Sequence, residues 1–328
     1  MTLATVPARG SADLRLLVRV ARMYYGMNLT QEQIGARLGL SRFKVGRLLD
    51  RAVRESIVRI EIVHPAARLV DLEDALVERF GLRAAVVADV AAGAGVADDA
   101  HDRVAREAVA TAAAGYLASV RPSGAIGVSW GRTMLALAGR LEQGWTTATE
   151  IVQLNGATSR SSTPTRVNEI VDRFGATTGA SILLMAAPAI VGSAALRIAL
   201  EADPSVGETL EAARRAPFAV FSLGIPTPHS VLVESGFVGD ADRARLRAAG
   251  AVGDVLGRFL AADGTIALPD LDDRTVGLPL DELAAKAHTV GLAAGSDRGP
   301  IALAAIRAGC VNVLVTDEAT AQWLGAHG

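Results

Sequence analysis

Two groups of residues in this sequence have types and spacings suited to chemistry. Lys44, Arg47, Arg51 and Arg54 follow one another at intervals of three, four and three, which at about 100° per residue places them along one side of a helix. Such a row can lie against phosphates. The second group is the stretch GVSWGRT, Gly127 to Thr133. Its glycines let the backbone approach a ligand, while Ser129, Thr133 and the first amides of a following helix can cradle an anion, helped by Arg132 and the helix dipole. A phosphate fits there, and a strand-to-helix turn with no ligand is the alternative.

Gly127 to Gly131 also satisfies G-x-S-x-G, the pattern of a hydrolase nucleophile elbow. No HG-type oxyanion segment precedes it, however, and the downstream histidines 229, 288 and 327 stand in no suggestive context. A serine hydrolase or an enzyme resembling sugar-phosphate isomerases remains the rival to a binding site. Two further loops carry candidates. EIVQL runs into Asn155, offering Gln153 and Asn155 as readers of hydroxyl groups, although amides at a strand end also cap turns. Gly295, Ser296 and Asp297 precede a helix with Arg298 at its start and Pro300 in its first turn, the pattern of a second anion site or of a plainly capped helix.

The basic row must be held by short helices. Asp13 is placed to cap a helix over Leu14 to Tyr25, closed by Gly26. Thr30 with Gln33 has capping-box form and opens a second helix ending at Gly39. Ser41 caps a third, in which Val45, Leu48, Leu49 and Ala52 form the buried face. Two short helices joined by a tight glycine turn can set the second in the major groove of DNA, with Gly35 allowing their close approach. Ser41, Arg42, Phe43 and Lys44 in the first turn are placed for base edges, and Arg47 and Arg51 for phosphates. A solvated basic face on an ordinary helical hairpin is the bland alternative. Val58, Ile60 and Ile62 then alternate with charged residues, as in a wing strand, and Pro65 breaks the chain before a helix over Leu69 to Phe80 that Gly81 ends.

Composition agrees with two domains. The chain has 328 residues, half of them hydrophobic. Residues 1–63 hold 11 Lys/Arg against 5 Asp/Glu, whereas the remainder holds 22 against 30, so two domains with different partners are expected, 1–63 and 64–328, with the boundary near 64–68. A single cysteine, Cys310, excludes an internal disulfide and a cysteine-based zinc cluster and suits a reducing compartment. The five histidines show no ligand spacing, so no metal or other cofactor is expected. No signal segment opens the chain, and the uncharged run Phe174 to Leu196 is broken by Gly179, Pro188 and Gly192, as in a buried strand with its loops. The expectation is a cytoplasmic protein without membrane contact.

In the large domain, AAVVA, AIGVS, EIVQL, SILLM, FAVFSL, HTVGLAA and VNVLVT read as buried strands. Helical segments at 101–119, 132–142, 166–174, 239–249, 300–308 and 317–324 alternate with them, which implies a doubly wound α/β sheet. Such sheets bind ligands beyond the carboxyl ends of their strands. Trp130 and Met185, apolar residues at strand ends, are assigned to the core.

The order of motifs resembles the SorC family of sugar-responsive bacterial transcription regulators. It is carried by RVARMYYGMNLTQEQIGARLGLSRFKVGRLLDRAVRESIVRIEI, IGVSWGRT, IVQLNGA, GAVGDVLGRFLAADG and CVNVLVTDEATAQWL, covering residues 13–324. The resemblance implies a winged helix-turn-helix DNA-binding domain joined to an effector domain related in fold to sugar-phosphate isomerases, sensing without turnover. It further implies a tetramer bound to paired half-sites of double-stranded operator DNA, with a phosphorylated sugar or polyol as effector. Ser129, Gly131, Arg132, Thr133 and Arg298 would hold the anionic end of the effector, and Gln153, Asn155 and Asp263 would read its hydroxyls. The chain departs from relatives in three places. Asn155 stands where some carry lysine, which removes imine chemistry. Ala261 stands where an acidic residue is common, leaving Asp263 as the nearby carboxylate. Arg298 replaces a frequent lysine and favours a planar, bidentate anion contact.

Overall fold

The computed structural model describes residues 11–27, 29–55, 57–58, 65–90, 98–156, 167–295 and 297–328. The chain divides into two compact units, Met1–His64 and Pro65–Gly328. In the first, α1 (Ser11–Ala21) runs into a π-helical turn, Arg22–Gly26, followed by α2 (Gln31–Leu38) and α3 (Arg42–Arg54). Thr30 and Gln33 form the reciprocal capping box, and Gly39 ends α2 at φ 66°, a conformation that costs glycine nothing. The Ser41 hydroxyl accepts the Lys44 amide at 3.2 Å, a cap worth about 1 kcal/mol. Leu17, Val20, Ile34, Val45, Leu48, Leu49 and Ala52 close one core, and a Cβ at Gly35 would run into the Leu40 carbonyl.

Two expectations at this end are corrected. Helix α1 starts at Ser11, ahead of Asp13, whose carboxylate instead meets Arg51 at 2.8 Å. Gly26 is not the left-handed stop, because the helix widens into the π turn and the Leu29 amide reaches back to the Met23 carbonyl at 3.1 Å. The expected wing lies mostly outside the described residues. Its first residue, Val58, sits in a bend that donates to the Ala52 carbonyl at 3.0 Å.

The second unit opens with α4 (Pro65–Phe80). Pro65 therefore begins this helix instead of breaking the chain ahead of it, since a first-turn position needs no amide hydrogen. There follow β1 (Ala84–Ala88), α5 (Asp98–Val120), β2 (Ser123–Val128), α6 (Arg132–Ala138), β3 (Thr147–Gln153), α7 (Val167–Ala176) and β4 (Ser181–Leu183). Next come α8 (Ala194–Ala202), α9 (Pro204–Arg215), β5 (Phe218–Gly224), α10 (Val231–Glu234), α11 (Asp240–Ala248), β6 (Ala251–Val255) and β7 (Arg258–Ala261). The chain closes with α12 (Pro269–Asp272), α13 (Leu280–Ala284), β8 (His288–Ala293), α14 (Gly299–Arg307), β9 (Val313–Asp317) and α15 (Glu318–His327).

Seven strands pair in parallel in the order β1-β9-β8-β5-β2-β3-β4, with β6 and β7 attached as an antiparallel hairpin beyond β5. Alternate side chains of each strand serve opposite faces. Phe218 and Val220 pack into one core with Ile126 and Val290, while Ala219, Phe221 and Leu223 pack into the other with Val152 and Ile301. From β2 the chain moves outward through β3 and β4, returns to β5 on the other side of β2, and then proceeds through β8 and β9. Connections therefore diverge between β2 and β5, and a crevice opens at their carboxyl ends. The sequence pattern does not announce the hairpin, nor α8 and α9, which Ser193 and Asp203 cap. Gly253 and Asp254 lower the strand signal of β6, yet a Cβ at position 253 would strike the Gly224 carbonyl and Ile301.

Candidate functional site

On α3 the buried stripe faces the core, and Ser41, Arg42, Phe43, Lys44 and Arg47 all lie outside it and are exposed. Phe43 is 82 % exposed, more than any other large apolar side chain described. Arg51 differs. Its guanidinium is held at 2.8 Å by Asp13 and at 2.8 Å by Glu55, and those hydrogen bonds raise its pKa further. The expected row of cations is thus reduced to Lys44, Arg47 and Arg54, with Arg42 at the start of the helix. Arg51 acts as a clamp between α1 and α3, because two carboxylates satisfy it locally.

The crevice at the β2–β5 divergence is a cleft of about 480 Å³. The loop after β2 forms its floor. The Ser129 amide donates to the Val220 carbonyl at 3.1 Å, and the Leu154 amide to the Val128 carbonyl at 2.9 Å, so the loop is anchored to the strands on both sides. Gly131 lies at φ 140°, where a Cβ would overlap the Ser222 hydroxyl. Ser129 is nearly buried, Arg132 is exposed and Thr133 is half-buried, and all three line the cleft with Gly131. The indole of Trp130 lines the cleft and donates to the Gly156 carbonyl at 2.8 Å, whereas Met185 is buried in a separate apolar cluster.

Asn155 follows β3 and pairs in an antiparallel bridge with Gly277. The residue lines the cleft, and its Oδ1 is buried without a hydrogen-bond partner, a deficit that a ligand donor would relieve. Arg298 also reaches the cleft, with two of its N–H groups donated to the carbonyls of Ala294 at 3.1 Å and Leu223 at 3.3 Å. Burial lowers its pKa, opposed by Asp102 and Asp254. Ser296 lies outside the described residues.

Two expected hydroxyl readers are elsewhere. Gln153 is buried beneath the floor, where its amide donates to the Asn155 carbonyl at 2.7 Å and accepts the Met185 amide at 3.1 Å. With both ends satisfied, it positions Asn155 and does not line the cleft. Asp263 lies exposed beyond β7, where its carboxylate accepts the amide and hydroxyl of Thr265 at 2.9 and 2.7 Å. It stands at the open end of the hairpin, whereas the β6–β7 turn lines the cleft. The carboxylate there is Asp254, which accepts the Gly257 amide at 3.1 Å and is pushed up to about 6 by burial.

The structure adds residues that no motif announced. Arg106 projects into the cleft from the middle of α5 beside Asp102, and its pKa is lowered first by burial and then by the nearby charge of Arg132. Like charges held together in this way favour an anion between them. Glu234 of α10 approaches Arg132 at 3.6 Å and His229 at 3.8 Å. A hydrolase reading of Ser129 finds no support in these contacts. Its hydroxyl donates to the Trp130 carbonyl at 3.3 Å, and the histidine among the described cleft residues, His229, is taken up at the rim.

Residues 64–324 match the family described as "Putative sugar-binding domain", and residues 19–55 match Sigma-70, region 4. The chain is 29 % identical to the Deoxyribonucleoside regulator of Bacillus subtilis (strain 168), over 94 % of this chain and 97 % of that protein. It is 30 % identical to the Transcriptional regulator LsrR of Klebsiella pneumoniae subsp. pneumoniae, over 95 % of this chain and 93 % of that one. Among solved structures, the full-length Sorbitol Operon Regulator SorC from Klebsiella pneumoniae superposes with a TM-score of 0.71 at 25 % identity, covering 96 % of this chain and 100 % of that one.

Proposed function

Because the chain belongs to the SorC family of sugar-binding transcriptional regulators and is a regulator rather than an enzyme, we propose that it controls an operon of carbohydrate or polyol catabolism in response to a phosphorylated sugar or polyol. The observation that carries this reading is the cleft itself, which is lined by arginines from three separate elements together with Asn155, whose buried Oδ1 has no hydrogen-bond partner. An effector with an anionic end and hydroxyl groups satisfies both. In this proposal Ser129, Gly131, Arg132, Thr133, Arg298 and Arg106 receive the anionic end, and Asn155 with Asp254 receives hydroxyl donors. The sorbitol and deoxyribonucleoside regulators that the chain resembles support this effector class.

Residues 1–63 form the DNA-binding domain in this proposal and 64–328 the effector domain. Arg42, Phe43, Lys44 and Arg47 enter the major groove of operator DNA. The protein works in the cytoplasm as a homo-oligomer, a tetramer that engages paired half-sites. Effector binding selects one arrangement of subunits, changing the separation of the α3 helices relative to the roughly 34 Å repeat of DNA. A thermal-shift screen of sugars, polyols and their phosphates tests the proposal, since a ligand of the folded state raises its melting temperature. A phosphorylated compound that shifts melting and changes operator affinity supports it. Melting unmoved by every compound overturns it.

A further inference from the structure

An apolar ring standing in a cationic surface suits a partner that offers both an apolar feature and negative charge. Phe43 is such a ring. It occupies the first turn of α3 with 82 % of its surface exposed, flanked by exposed Arg42 and Lys44 and one turn from Arg47. It is not part of the buried cluster that holds the three helices together. Ser41 fixes the backbone of this turn through its bond to the Lys44 amide, so the ring is carried on a stiff helix start instead of a mobile loop. A protein partner seated on the ring would have to bury Arg42, Lys44 and Arg47 against matching acids. Duplex DNA supplies both requirements together, because the 5-methyl of thymine is the apolar feature of the major groove and phosphates line its rims.

We propose that Phe43 is a specificity-determining residue that packs on a thymine methyl in each operator half-site, while Arg42, Lys44 and Arg47 contact phosphates or base acceptors around it. The inference rests on α3 being the DNA-contacting helix and adds which base feature it reads. An apolar contact of this kind carries no charge, so it changes sequence preference without changing the number of counterions released.

The test uses the full-length protein. Selection from a random duplex library defines a bound sequence, which is then resynthesised with deoxyuridine replacing one thymidine at a time, removing the methyl and leaving the base pairing intact. Wild-type protein is expected to lose about fourfold in affinity at one symmetry-related thymidine per half-site, the value of one buried methyl-sized group. Phe43→Ala is expected to bind more weakly, to be indifferent to that same replacement, and to keep the wild-type salt dependence and melting temperature. Wild-type affinity unaffected by every replacement overturns the proposal, as does a Phe43→Ala variant that remains sensitive to the same replacement. A change of oligomeric state in Phe43→Ala without DNA would assign the ring to contact between copies and would likewise overturn it. Failure of the library to enrich any sequence is a separate result, because it removes the DNA-binding reading of α3 itself.

Discussion

The hydroxyl of Ser222 occupies the space that a side chain at Gly131 would require. Strand β5 therefore dictates glycine in the loop that follows β2, and the positive φ of 140° at this position reinforces the demand. Gly131→Ala is predicted to distort the cleft floor and abolish the melting shift produced by the effector. Operator binding by the free protein should persist, since α3 belongs to another unit. A Gly131→Ala protein with the wild-type effector shift would show that the loop does not contact the ligand.

Arg47 and Arg51 lie one turn apart on α3 but differ in their partners. Arg51 bridges Asp13 and Glu55, whereas Arg47 lies on the outer face of the helix. Replacing Arg47 by Ala should reduce the slope of log affinity against log salt by about one. Arg51→Ala should leave the slope nearly unchanged and lower the melting temperature instead, because α1 loses its tie to α3. Fluorescence anisotropy across a salt series, with melting curves alongside, separates the two. Equal loss of slope in both variants would contradict the clamp assigned to Arg51.

Burial pushes Asp254 up to about 6 from an ordinary 3.8. Between about pH 4 and pH 6 the folded protein binds this proton more tightly than the unfolded chain does. Its contribution is fully present below that window and is lost as pH rises through it, about 3 kcal/mol in total. Asp254→Asn keeps an acceptor for the Gly257 amide and does not ionise. The variant should gain on wild type progressively from about pH 4 to about pH 7 in urea denaturation. A difference that stays constant over this range would refute the assignment.

Lys286 is 7 % exposed, and its ammonium group donates to the carbonyls of Ala213, Arg214 and Ala216 at 2.6, 3.0 and 2.7 Å. It thereby closes the carboxyl end of α9 against the strand that follows. Lys286→Met preserves the stem and leaves three carbonyls without this donor, at an expected cost of about 3 kcal/mol in chemical denaturation. Stability within about 0.5 kcal/mol of wild type, the usual range for a surface substitution, would show that water replaces the amine.

Sequence alone determined the features whose physics is local. Capping oxygens at Thr30 and Ser41, the left-handed glycine at 39 and the two stripes of α3 depend on neighbours within a few residues, so the helix pair was legible at residue level. Seven parallel strands were legible because each is a short, mostly apolar run, and the loop from Ser129 to Thr133 because its glycine, hydroxyl groups and arginine are contiguous. Only the tertiary structure decided which side chains meet in the cleft. Arg106 sits on a long helix with no local mark, and Asp254 was hidden in a strand weakened by glycine. Asp263 stood as the nearby carboxylate until the hairpin placed it at the end opposite Asp254, and Gln153 turned inward because both ends of its amide found buried partners. Arg51 followed the same rule, since its periodicity put it on the basic face while carboxylates on α1 and at the end of α3 claimed it. Periodicity tells which side of an element a residue occupies, but the pairing of charges and hydrogen bonds across elements is settled by three-dimensional proximity, on which spacing along the chain is silent.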